Sequence, residues 1–167
     1  QHQKQGMSPA ELDTTDLIGN TPLMISADKG FLDIAKLLIK SGAKVESVNR
    51  WNETALMFAS SKGFRKIVSL LLKHGADIEA KDISEKTALL RASQNGHLLT
   101  VEMLLLNGAN LYFNAFDLGG EGGTALIQAA RNGHNDVLQK LLIDGAEINT
   151  TELMFHHSAL MAAALNG

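Results

Sequence analysis

The chain has 167 residues, 45% of them hydrophobic, with 15 basic against 18 acidic side chains and a formal net charge of −3. That is enough apolar matter for a buried core in one domain, and too little positive charge for nucleic acid to be the expected partner. The absence of cysteine excludes disulfides and thiolate metal sites, and the longest apolar runs, such as Leu104 to Leu106, fall far short of the roughly 20 residues of a membrane span.

Residues 1–15 read as an N-terminal extension. Its start, QHQKQGM, carries no pattern, but Ser8-Pro9-Ala10-Glu11-Leu12 has the form of a capping box with Pro at the first helical position, which predicts a short helix. The first repeating unit spans about 16–48. Thr21 is a good N-cap and Pro22 is pre-set for the first helical turn. A short helix follows, with Leu23 and Ala27 one turn apart on its apolar stripe. Gly30 breaks it and permits a tight turn. A longer amphipathic helix, LDIAKLLIKS, then runs to Gly42, where a left-handed residue can end it. The segment AKVESVN should be an extended connector with a turn.

The same punctuation returns along the chain. The Thr-Ala-Leu of residue 54 opens a second unit, about 49–81, with Gly63 and Gly75. Thr87 opens a third, about 82–118, with Gly96 and Gly108. Thr124 opens a fourth, about 119–151, with Gly133 and Gly145. Ser158-Ala-Leu opens a partial fifth, 152–167. The five openings are separated by 33, 33, 37 and 34 residues. Four extra residues therefore fall in the connector before Thr124, where FDLGGEGG places four glycines between Gly119 and Gly123.

With its 33-residue period and Thr-Pro-Leu or Thr-Ala-Leu openings, the segment from Asp16 to Gly167 resembles the ankyrin repeat. The resemblance implies an all-α solenoid of stacked helix-turn-helix units joined by projecting β-turn or hairpin connectors. Two departures stand out. Met24, Met57, Leu90, Ile127 and Met161 occupy the place of the family's usual His, so packing is expected to replace that residue's hydrogen bonds. The second-turn Gly-His survives at His97 and His134 but is Gly-Phe at Phe31 and Phe64. The pattern also stops midway through a unit, and a solenoid ordinarily ends on a capping repeat, so a longer array is expected.

Catalysis finds no support in these residues. No Lys precedes Thr124, so the glycines lack what a phosphate-binding loop needs, and they are expected to lengthen a turn instead. His97 and His134 lie on neighbouring units and are expected to be turn residues rather than ligands to one metal. Carboxylates are expected to be scattered over solvent faces and connectors, and no His stands near Ser60, Ser61 or Ser93 to activate a nucleophile. No cofactor, metal, small-molecule substrate or enzyme activity is predicted.

The resemblance instead implies a protein or peptide partner, held by the turn tips and the concave face of the first helices. At the matching positions stand Arg50, Trp51, Glu53, Phe58, Lys62, Lys86, Arg91, Asn95, Phe116, Gln128 and Arg131. Trp51, the only tryptophan, either anchors a partner or folds back onto Phe58 or the adjacent unit. Tyr112, Phe113 and Phe116 either pack over the third and fourth units or extend the face, and Met154 and Phe155 either cover the end of the stack or join that face. A monomeric interaction scaffold in the cytoplasm, or in the nucleus, is expected. The alternative is a targeting or substrate-recruiting domain of a larger enzyme or membrane protein.

Overall fold

The computed structural model describes residues 9–116, 122–151 and 156–166. In chain order the helices are α1 (Pro9–Leu12), α2 (Pro22–Lys29), α3 (Leu32–Lys40), α4 (Ala55–Ser61), α5 (Arg65–Lys73), α6 (Ala88–Gln94), α7 (Leu98–Leu106), α8 (Ala125–Arg131), α9 (Asn135–Ile143) and α10 (Ala159–Asn166). The expected N-terminal helix is α1, whose Leu12 is buried in the core. Ser8 of its capping box lies outside the described residues.

Each first helix starts where the sequence places its cap. The hydroxyls of Thr21, Thr54, Thr87 and Thr124 accept from the amides of Met24, Met57, Leu90 and Ile127 at 3.3–3.4 Å, and Ser158 accepts from Met161 at 3.4 Å. These bonds satisfy one orphan amide per helix. At Met24 the expectation of packing alone needs correction, because its sulfur accepts from the Thr21 amide at 3.4 Å and closes a reciprocal capping box.

Helices α2, α4, α6, α8 and α10 stack in one layer, and α3, α5, α7 and α9 stack in a second. Between the layers lie Leu23, Leu56, Leu89 and Leu126 with Ala27, Ala59, Ala92 and Ala129, all buried, against Leu38, Leu71, Leu104 and Leu141 of the second helices. The alanines let first helices approach closely, while each buried leucine contributes about 2 kcal/mol of transfer free energy. Among the described residues no strand forms. Isolated bridges join Ala115 to Gly123 and Thr151 to Ser158.

The turn between paired helices shows how Phe in the first two units and His in the next two fill the same place. Nε2 of His97 lies 2.9 Å from the carbonyl of Ser61, and Nε2 of His134 lies 2.9 Å from that of Gln94, so each ring donates to the last carbonyl of the preceding unit's first helix. Phe64 takes the same place one unit earlier, its ring filling the space beside Gly30 by contact alone.

The projecting tips are built on a side-chain device repeated at a spacing of 33. Asp16 accepts from the amides of Ile18 and Asn20, Asn49 from those of Trp51 and Glu53, and Asp82 from those of Ser84 and Lys86, at 2.8–3.0 Å. Neighbouring tips are tied by main-chain bonds from Arg50 to the carbonyl of Ile18 and from Ile83 to that of Trp51. A second carboxylate row supports the opposite connectors. Asp13, Glu46 and Glu79, again 33 apart, accept from the amides of Lys44, Asp77 and Asn110 of the next unit.

The first tip gives a pH prediction. The bond from the Asn20 amide, helped by the amides of Ile18 and Gly19 and by the Asn20 side chain, outweighs desolvation and holds the Asp16 carboxyl below its ordinary value of 3.8. Since the folded-state value is the lower one, the tip's bonds contribute stability above the ordinary value, and that contribution is lost as pH falls through the folded value. In an NMR titration of the side-chain carboxyl, Asp16 is expected to turn over below 3.8 and the Asn20 amide shift to follow it. A midpoint at or above the ordinary value contradicts this account of the tip.

Candidate functional site

The fourth residue after each cap forms a ladder along the first-helix face: Ile25, Phe58, Arg91 and Gln128. The cap bond and the buried leucine two residues earlier fix the orientation of each helix, so these four side chains occupy equivalent places with different chemistry. The face is open over the first two units and closed by internal polar contacts over the third and fourth.

In the open part, Ile25 is exposed and Phe58 half-buried. With Asp16, Asn20, Met24, Asp28 and Lys29 they line a depression of about 350 Å³. Its rim is charged: Asp28 pairs with Lys29 at 2.8 Å and, across the unit boundary, with Lys62 at 3.8 Å. Trp51 projects at the neighbouring tip, 43% exposed. Its amide is held by Asn49 and its carbonyl by Ile83, so the main chain is fixed on both sides while much of the side chain remains accessible. Arg50 beside it is exposed, as are Leu17 and Ile83 on the flanking tips.

The third unit behaves differently. Nη2 of Arg91 lies 2.6 Å from Glu53 Oε1 and also bonds Asp82 Oδ2, which Nε approaches at 3.2 Å. The side chains of Arg91, Glu53 and Asp82 are only 17%, 15% and 4% exposed. Glu53 continues the chain of bonds by accepting from Asn49 Nδ2 at 2.7 Å, which also reaches Asn20 Oδ1 at 2.9 Å. The carboxylates are thus not all scattered as expected. Two of them converge on one guanidinium and join the tips of three units. Lys86 is buried, and its ammonium reaches Gln94 Oε1 at 3.3 Å. Asn95 is exposed and donates to the Arg91 carbonyl at 2.8 Å and to Ser61 Oγ at 3.4 Å.

In the fourth unit Gln128 is 1% exposed, because its Nε2 donates to the Gly122 carbonyl at 2.8 Å, with Arg131 Nη1 at 3.4 Å from the same oxygen. These two side chains hold the exit of the insertion. Its base is closed by paired bonds between Ala115 and Gly123. Phe116 and Tyr112 are exposed, whereas Phe113 is half-buried under Lys81, whose Nζ stands 4.2 Å from the ring centroid. The insertion's Gly119 and Gly120, together with Met154 and Phe155, lie outside the described residues.

The helix pairs, the 33-residue tip register and the two-layer stack fix the kind of molecule this is. A family model described as ankyrin repeats (3 copies) matches residues 3–82, 46–115 and 82–152. The chain belongs to the ankyrin repeat family. No curated protein matches it. Ankyrin repeats are generally protein–protein interaction modules, and the fold is typically a non-catalytic scaffold. Among the described residues of this ankyrin chain, no group of three or more His, Cys, Asp or Glu could hold a metal ion, and no helix is long and apolar enough to cross a membrane.

Sequence reading of the ankyrin pattern missed Asp82 as the partner of Arg91 and Asn49 as the hub between Asn20 and Glu53. A signal was present, since Asp16, Asn49 and Asp82 each stand five residues before a capping Thr. Residues with side chains that accept from amides two and four positions on belong at such turns.

Proposed function

We propose that this ankyrin array is a monomeric, non-enzymatic scaffold of the cytoplasm or nucleus that binds a protein or peptide partner. The open half of the first-helix and tip face is the contact surface, with Trp51, Arg50, Phe58, Lys62 and Ile25 as its anchors. The observation that carries this reading is Trp51: a large amphipathic side chain, substantially exposed, on a main chain already fixed by Asn49 and Ile83. Such a residue loses little conformational freedom on binding and offers a large area to bury. Arg91, Lys86 and Gln128 serve this function indirectly, by holding the tips and the insertion in place. The net charge of −3 supports protein over nucleic acid as the partner.

Trp51→Ala is expected to weaken partner affinity roughly thirtyfold, about 2 kcal/mol, with little change in melting temperature. Affinity purification of the full-length protein identifies the partner, and titration calorimetry against it reads the substitution. Lys62→Ala, at the exposed rim, is expected to act mainly on the association rate and its salt dependence. Unchanged affinity in Trp51→Ala rejects this face as the contact surface.

A further inference from the structure

The opposite side of the array carries a second surface of distinct chemistry. Between α3, α5 and α7 runs a groove of about 530 Å³, with half-buried Leu70 and Met103 among its apolar lining. Lys36, Arg65, Lys66 and Lys73 border it, all exposed. Of these four, only Lys36 has an anionic partner among the described residues, the exposed Asp33 at 3.2 Å. Arg65, Lys66 and Lys73 are therefore uncompensated cations around an apolar groove, in a chain whose overall charge is negative. The charge is local to the early units: α7 and α9 together carry two acidic residues and one basic one.

We propose that this groove docks an acidic amphipathic helical segment of a partner protein. Arg65 and Lys73 stand eight residues apart on α5, about 12 Å along its axis, with Ser69 between them on the same face. A partner helix with carboxylates at i, i+4 and i+8 repeats that spacing. Its apolar side would meet Leu70 and Met103, the latter a side chain that adapts to irregular surfaces. Three unpaired cations around a concave groove suit a narrow helix better than a membrane plane or a nucleic-acid duplex, which reward a broad array of positive charge. This inference concerns the second helices and stands independently of the Trp51 face.

The test uses the full chain and three probes. These are a synthetic helical peptide of about 16 residues with Glu at i, i+4 and i+8 on one face and Leu on the other, its Lys counterpart, and phosphatidylserine–phosphatidylcholine vesicles. The Glu peptide is expected to bind, more weakly as salt rises. The charge reversal Arg65→Glu/Lys66→Glu/Lys73→Glu should weaken it at least about tenfold and confer binding of the Lys peptide, while Trp51→Ala leaves the Glu peptide's affinity unchanged. Circular dichroism checks folding, and should the reversal unfold the chain, Arg65→Gln/Lys73→Gln is read by its weaker binding of the Glu peptide alone. Failure of the Glu peptide to bind, equal binding by wild type and variant, or binding to vesicles but not to the peptide overturns the proposal.

Discussion

Arg91→Ala is expected to destabilise the array by about 3 kcal/mol, the lower end of the range for removing one partner of a buried charge cluster. In a chain of this size that corresponds to a melting temperature lower by roughly 10 °C. The reason is what remains behind. Glu53 and Asp82, both largely buried, lose the guanidinium they share, and two like charges are left close together. If this explanation holds, neutralising the abandoned acids should restore stability. Glu53→Gln/Asp82→Asn/Arg91→Ala is therefore expected to recover more than half of the loss. Asp82→Asn is the conservative choice, since Asn49 performs the same tip capping with an amide oxygen one unit earlier. Urea denaturation of the single, double and triple variants measures the coupling. Strictly additive effects would show that the three residues do not act as a unit.

Two glycine substitutions are expected to differ by about 2 kcal/mol although both residues hold a left-handed backbone. Gly63 has φ 74°, and a Cβ there would lie 2.6 Å from Nδ1 of His97. Gly63→Ala therefore combines backbone strain of about 1–2 kcal/mol with displacement of the ring that donates to Ser61. The lost hydrogen bond adds about 1 kcal/mol, and disturbed packing between the second and third units adds to it. Gly75 has φ 86°, with open space where its Cβ would be. Gly75→Ala should show the backbone term alone, about 1 kcal/mol. Thermal or urea unfolding ranks the two, and equal losses would mean that the His97 contact contributes nothing at the unit boundary.

Local chemistry makes much of this fold legible in the sequence. A Thr hydroxyl caps the helix that begins one residue later, and a glycine ends a helix within its own turn, so both leave a signature in a short window. The unit register, the caps and the helix-ending glycines follow from such windows. The role of Arg91 does not, because its two acids lie 9 and 38 residues away and meet it only when adjacent tips fold back over the first helix. Gln128 resembled an exposed rung of the ladder for a similar reason. Its burial depends on the carbonyl of Gly122, which reaches it because the four-residue insertion closes at Ala115 and Gly123. Of the candidate contact residues, Arg50, Trp51, Lys62, Asn95 and Phe116 are exposed where the repeat pattern suggested, whereas Lys86 and Gln128 are drawn inward by polar partners within the chain. A repeat pattern tells which positions can vary. Which variant side chains stay free depends on pairings between units.

The proposed seat of the protein partner is the open first-helix and tip face around Trp51. Site-specific photo-crosslinking tests this, with a photoreactive residue placed at position 51 and, for comparison, at Ile143, a still more exposed second-helix position far along the array. With the purified partner, the account predicts a crosslinked product from position 51 and none from position 143. Crosslinking from position 143 with none from position 51 would contradict it.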